Sequence, residues 1–384
     1  MSSGSAAVRI LSVSNFYDTH GGGLERVAGH LAREFALLGH HSAWAASDAD
    51  GLPASPARLV ALRCANPTER LTGLPMPLPG TRSITSLARA VREADVVVIH
   101  DALYVTSILA MLLAKARRKS VVLVQHISSI QFASRLLRGV MRLANALVTR
   151  PMIAAADDLV FISQTVRTDL LGPEPRRPSA LLFNGVDQAV FNARERCPAA
   201  QTRLRWGLPA EARVAIFVGR FVEKKGLRIL RELAAQRPDI HFALVGKGPI
   251  DPAEWRLGNV HVLGQQPQDV VADLYRCASL LILPSVGEGY PLVIQEAMAC
   301  GLPVVCGKPA DQADPDARCW LRGIPVDLAD PPASAARCSA AIDTLTLSES
   351  DRASMARYAA ERYDWRKMAE GILTLSHAPN SARA

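Results

Sequence analysis

Short apolar runs alternate with helical stretches along both halves of this 384-residue chain, and that alternation leaves few folds open. Arg9 to Val13, Asp95 to His100, Val121 to Gln125 and Leu159 to Ile162 read as buried strands, with helical runs at Leu24 to Leu38 and Ser83 to Glu93. In the first helical run Leu24, Val27, Ala28, Leu31, Phe35 and Leu38 fall on one stripe, and Gly39 supplies the stop. Ala212 to Val218, His241 to Val245, Asn259 to Leu263, Leu280 to Leu283 and Pro303 to Cys306 repeat the strand pattern in the second half. Strands separated by helices pair in parallel, because the helix carries the chain back to the same edge. The expected fold class is therefore α/β, with a parallel sheet in each half.

Size also points to two domains, since 384 residues exceed the usual single core and an apolar share of 49% can fill two. A Pro- and Arg-containing stretch, Gly172 to Ser179, and a polar run, Asn192 to Gln201, mark a composition break. The boundary is placed near Asp187 to Gln201, giving domains at 1–187 and 202–360 and a terminal helix at 361–377. Seven cysteines lie scattered without a C-x-x-C pair, which predicts a reducing compartment and no structural zinc. The opening MSSGSAAVRILSVS does not read as a signal peptide, and the apolar stretch Ala102 to Ala114 is too short to span a bilayer. A cytoplasmic protein is expected, with attachment to the inner membrane face left open.

The net charge of +8 is unevenly distributed. Ala102 to Ala156 contains no Asp or Glu, yet holds Lys115, Arg117, Arg118, Lys119, Arg135, Arg138, Arg142 and Arg150, eight charges that equal the whole excess. Leu136, Leu137, Val140, Met141, Ala144, Leu147 and Val148 recur at helical spacing, with Arg135, Arg138 and Arg142 on another face. A basic amphipathic helix of this kind can lie on anionic lipid, so the Lys115 to Arg150 region is expected to meet a membrane surface. The plainer reading is a core-facing helix with a solvated arginine face. No aromatic-rich platform accompanies the charge, so nucleic acid is not expected as a partner.

Chemistry concentrates in GEGYPLVIQEAMACGLPVV, Gly287 to Val305. Leu280 to Leu283 is a strand, Pro284 to Gly289 a loop, Pro291 suits the first helical position, and Gly301 with Pro303 ends the helix. The first-turn amides of Leu292 and Val293 have no partners within the helix and sit at its positive end, where a phosphate would be stabilised. Glu288 precedes this anion site and Glu296 follows in the second turn. Two acids flanking a phosphate suit hydroxyl recognition, one for a sugar and one for a ribose.

Glu288 and Glu296, with seven residues between them, resemble the E-x7-E signature of retaining glycosyltransferase family 4. GRFVEKKG (Gly219 to Gly226), VGKGP (Val245 to Pro249), FNGVDQAVF (Phe183 to Phe191) and GGGLERVAGHLAREFALLGH (Gly21 to His40) resemble further family segments in the family's order. The resemblance implies the GT-B fold, two Rossmann-like domains facing an interdomain cleft. It also implies transfer of a sugar from a nucleotide diphosphate sugar, with no metal or other cofactor.

The resemblance also suggests roles. Arg220 and Lys225 would contact the diphosphate, Glu288 the transferred sugar and Glu296 the ribose hydroxyls. His126, at the end of VVLVQH, would bond the sugar and support developing positive charge; alone, it would read as a strand-end structural histidine. Gly22, Gly23, Gly248, Gly289, Tyr290, Leu292 and Val293 complete the donor site, and Gly264 would lie beside the base. The Gly21 to Gly23 triplet does not fit G-x-G-x-x-G, so a dinucleotide cofactor is not indicated. Asp48 and Asp50 could imitate a metal motif, but they follow an expected strand in an unrelated context, which suggests a turn. The acceptor implied is a polyprenyl-linked or other lipid-linked saccharide of bacterial polysaccharide assembly. The alternatives are a small soluble acceptor, or a nucleotide-sugar-binding protein without transfer activity.

Overall fold

A computed structural model describes residues 7–67, 76–128, 139, 143–194 and 198–377. The chain divides into two compact units, residues 1–184 with 365–384, and residues 185–364.

The first unit is built on a seven-stranded parallel sheet in the order β3-β2-β1-β6-β7-β8-β9. Its strands are β1 (Arg9–Phe16), β2 (His41–Ser47), β3 (Arg58–Leu62), β6 (Val96–His100), β7 (Ser120–Gln125), β8 (Asp158–Phe161) and β9 (Ala180–Leu181). A small antiparallel pair, β4 (Cys64–Ala65) with β5 (Leu78–Pro79), sits apart from it. Leu11, Val13, Val97, Ile99, Leu123 and Phe161 are fully buried in one core cluster. Strands covered on both faces read as continuous apolar runs, which is why β6 (VVVIH) and β7 (SVVLVQ) stand out in the sequence. β2 is the strand expected ahead of Asp48: HSAWAAS is mostly small residues, and Trp44, fully buried, anchors it by donating from Nε1 to Ser14 Oγ at 2.9 Å.

The second unit carries a six-stranded parallel sheet in the order β12-β11-β10-β13-β14-β15. These strands are β10 (Arg213–Val218), β11 (Ile240–Val245), β12 (Val260–Gly264), β13 (Leu280–Leu283), β14 (Val304–Gly307) and β15 (Leu321–Ile324). In both sheets the strand order reverses beside one strand: β1 lies between β2 and β6, and β10 between β11 and β13. Open α/β sheets bind ligands at the carboxyl ends of the strands flanking such a reversal.

The last expected helix, Tyr358 to Leu375, is broken in two. Helices Glu349–Arg362 and Trp365–His377 are separated at Tyr363, whose side chain is fully buried in the second unit. Trp365 opens the final helix and stacks on His30 of the helix Gly23–Leu37, with ring centroids 4.5 Å apart.

Candidate functional site

In the second unit, the loop leaving β10 meets the loop leaving β13. Gly226 adopts φ 78°, and a Cβ there would lie 2.3 Å from Pro284 O, so this crossing excludes a side chain. Val286 N donates to Lys224 O at 2.9 Å and ties the loops together. The contact brings Lys225 Nζ to 2.7 Å from Glu288 Oε1 and 2.9 Å from Oε2. Burial alone would raise the Glu288 pKa, but the charges of Lys225 and Lys224 and bonds from Lys225 and Ser285 hold it below the usual carboxyl value. Glu288 is thus an ionised hydrogen-bond acceptor at neutral pH.

Arg220 is exposed on the same loop. Phe221 N donates to Lys247 O at 2.9 Å, joining this loop to the one leaving β11. A Cβ on Gly248 would lie 2.4 Å from Phe221 O, so that glycine is required for packing of one loop against the other. Gly264 closes β12 at φ 69° with open space around its Cα.

The helix Leu292–Ala299 follows. Pro291 is its N-cap, with extended φ −60° and ψ 128°, rather than its first helical residue. Pro291 O accepts the first helical bond, from Ile294 N at 3.0 Å, so the amides of Leu292 and Val293 open the helix as its spacing suggests. Glu296 is 4% exposed in the second turn, and Gly301 at φ 74° follows the helix end. Gly289 is buried in the preceding loop.

Tyr290, expected among the donor-binding residues, is 3% exposed, and its hydroxyl lies 2.9 Å from that of Tyr363. Tyr363 and Tyr358 donate to Asp314 Oδ2 at 2.9 and 2.8 Å. Tyr290 is therefore engaged in a buried phenol–carboxylate network that braces the loop. Asp314 lies between β14 and β15.

In the first unit, Gly21 at φ 82° ends a short turn of helix, Gly22 is the N-cap of Gly23–Leu37, and Gly23 is its first residue. A Cβ on Gly22 would meet Glu25 Oε2 at 2.0 Å; the glycine lets this buried carboxyl fold over the positive end of its own helix. His126, just after β7, is 4% exposed, with Nε2 3.2 Å from Nδ1 of the fully buried His100. Burial lowers the His126 pKa to about 3 and places His100 well below its ordinary value, so both rings are neutral.

Asp101 directly follows His100 at the end of β6. It adopts φ 66°, is 1% exposed, and accepts a bond from the Gln125 side-chain amide. Burial pushes its pKa up to about 8, making it a neutral acid at physiological pH. An Asp directly after the buried strand VVVIH was the available signal, since Asp tolerates left-handed backbone where most side chains do not.

Asp48 and Asp50 do form a turn, and Asp50 Oδ2 lies 2.8 Å from His20 Nδ1. On the basic surface, Arg135, Arg138 and Arg142, with Leu136, Leu137, Val140 and Met141, lie outside the described residues. Lys115 pairs with Asp157 at 2.8 Å, so an acid just beyond the acid-free segment neutralises part of it. Leu143 and Leu147 are 58% and 67% exposed, while Val148 packs on the core. Among the described residues no helix is long and apolar enough to cross a membrane.

Two family models match the chain in the order of its units: glycosyltransferase family 4 over residues 21–190, and glycosyl transferases group 1 over residues 212–343. The chain belongs to the family 4 glycosyltransferases. A relative from Bacillus subtilis, assigned by name to teichuronic acid biosynthesis as a glycosyltransferase, is 37% identical over 129 residues, 33% of each chain. A D-inositol 3-phosphate glycosyltransferase of Acidothermus cellulolyticus is 32% identical over 245 residues, 58% of this chain and 53% of that one. The chain thus spans between a third and about half the length of these relatives. Among solved structures, Anabaena HepE in complex with UDP and glucose superposes with a TM-score of 0.66 at 19% identity, covering 96% of this chain and 100% of the other. That similarity shows the shared GT-B fold.

Proposed function

We propose that this family 4 protein transfers a sugar from a nucleotide diphosphate sugar to an acceptor hydroxyl with retention at the anomeric carbon. The observation that carries the reading is the Lys225–Glu288 pair held beside the opening of the helix Leu292–Ala299. Lys225 and Arg220 neutralise the departing diphosphate, and the Leu292 and Val293 amides add donors at the positive helix end. Glu288, kept ionised, accepts a hydroxyl of the sugar, while Glu296 holds the ribose. His126, neutral, is assigned to hydrogen-bonding of the sugar. The C1–O bond to the diphosphate breaks with its electron pair on the phosphate. The acceptor oxygen bonds C1 on the same face, and its proton passes to the leaving phosphate. Positive side chains take the role that a metal plays elsewhere. HepE, solved also with UDP-glucose, supports a nucleotide sugar as donor.

The favoured acceptor is a lipid-linked saccharide of bacterial polysaccharide assembly, reached from the inner face of the cytoplasmic membrane. Exposed Leu143 and Leu147 beside Arg150 support contact with anionic lipid. The inositol-phosphate name of one relative favours a second reading, a small soluble acceptor.

A panel of radiolabelled UDP-, GDP- and ADP-sugars, with polyprenyl-linked and soluble acceptors, tests the proposal. One donor is expected to yield product with the donor's anomeric configuration. Binding of a donor without turnover under any acceptor would leave a nucleotide-sugar-binding protein instead.

A further inference from the structure

Arginines gather at the opposite end of the second sheet from Lys225 and Glu288. Arg203, Glu211, Arg213, Ser279, Pro303 and Arg352 line a depression of about 330 Å³ at the amino-terminal ends of β10, β13 and β14. Three guanidinium groups face one carboxylate there. Among the described residues none of the three lies within ion-pair distance of an acid, although Arg213 feels the field of Asp239, which Arg237 already bonds.

Part of this charge has a structural use. Arg203 donates from Nε to Cys277 O at 3.0 Å and from an Nη to Ala212 O at 3.0 Å, and Arg213 donates to Ile342 O at 2.8 Å. Cys277 and Ile342 stand in the last turns of their helices, where cations offset the exposed carbonyls. Arg352 has no such use. It is the fourth residue of the helix Glu349–Arg362, at the positive end, where a cation is unfavourable. Its guanidinium has no bonding partner among the described residues, and Asp351 beside it is bonded in the Ser348 cap. Arg213 engages one Nη in its bond to Ile342 and keeps the rest of its fork for the depression. Ser279, which accepts from Val214 N at 3.1 Å, still has its hydroxyl proton to donate.

We propose that this depression is a binding site for a phosphate dianion, either inorganic phosphate or the phosphate of a small phosphomonoester, held by Arg213, Arg352 and Ser279. A phosphate offers three or more acceptor oxygens to forked donors and supplies the negative charge that Arg352 lacks. The site lies wholly within the second unit and is independent of the sugar-transfer reading.

The test is calorimetric titration of the full chain carrying Arg220→Gln and Lys225→Ala, so that phosphate is not captured at the proposed donor cradle. Inorganic phosphate is expected to bind with a dissociation constant below about 1 mM, weakened at least about tenfold by adding Arg352→Gln. Arg352 makes no side-chain bond among the described residues, so its replacement should leave the fold intact; circular dichroism checks this, and Arg213→Gln is the second variant. Tighter binding of glycerol 3-phosphate than of phosphate identifies a phosphomonoester as the ligand, and equal or weaker binding identifies inorganic phosphate. The proposal is overturned if no heat of binding appears up to about 10 mM phosphate, or if neither arginine variant changes the affinity.

Discussion

Lys225 Nζ touches both carboxylate oxygens of Glu288, at 2.7 and 2.9 Å, although 63 positions separate the two residues. Each group fixes the other: the carboxylate orients the ammonium, and the ammonium keeps the carboxylate ionised. Lys225→Ala removes the cation and leaves Glu288 unpaired, so kcat/KM should fall by about 10²-fold or more. Glu288→Gln keeps the shape but loses the charge, and should lower kcat more than it raises the donor KM. Steady-state kinetics with the identified donor decides; unchanged kcat in both variants removes the pair from the reaction.

Glu296→Ala should weaken nucleotide binding by about tenfold, roughly 1.4 kcal/mol, with a smaller effect on kcat. Titration with the free nucleoside diphosphate measures it. Equal affinity in variant and parent would refute the ribose assignment.

Gly226→Ala should destabilise the second unit by at least about 1–3 kcal/mol, because its φ of 78° strains an alanine and the added Cβ would sit 2.3 Å from Pro284 O. Chemical denaturation reads the loss. Gly23→Ala, where a Cβ meets nothing within 4 Å, is the control and should change stability little.

Asp101 should make stability depend on pH. Its folded-state pKa of about 8 lies above the ordinary carboxyl value of 3.8, so between these values the folded protein holds more protons than the unfolded chain. This residue's contribution to stability therefore falls as pH rises from about 4 to about 8. Asn cannot titrate and tolerates left-handed backbone, so the advantage of Asp101→Asn over the parent should grow across that window. Thermal melts at about pH 5 and pH 8 test this; a constant difference shows that the carboxyl is ionised throughout. His126 acts in the opposite direction: its pKa, lowered to about 3, makes its contribution fall as pH drops below about 6.5.

Tyr363→Phe deletes the hydroxyl that bonds both Tyr290 and Asp314 while keeping the ring. Losing a hydrogen bond to a buried carboxylate costs about 1.5–3 kcal/mol. Urea denaturation should show this loss, accompanied by a rise in donor KM as the loop behind Glu288 loosens.

The features legible in the sequence are those in which local pattern and burial agree. Strands such as LLIL at Leu280–Leu283, buried at every position, could hardly be read otherwise, and they carry the loops that end in Arg220, His126 and Glu288. β15 was hidden because a glycine and a charged residue dilute its apolar signal, as in LRGI. The break at Tyr363 was hidden as well, since the hydroxyl partners that fix it, Tyr290 and Asp314, lie 73 and 49 residues away. Asp101 was missed for another reason: its place after the strand hints at its backbone angle, but its desolvation is not written in residue order.

The stacking of Trp365 on His30 carries a consequence for biosynthesis. A ribosome delivers His30 early and Trp365 only after the whole of the second unit, whereas everything needed for the second sheet emerges as one uninterrupted stretch. The later-synthesised unit can thus mature first, and the earlier one must wait, its closing helix still inside the exit tunnel.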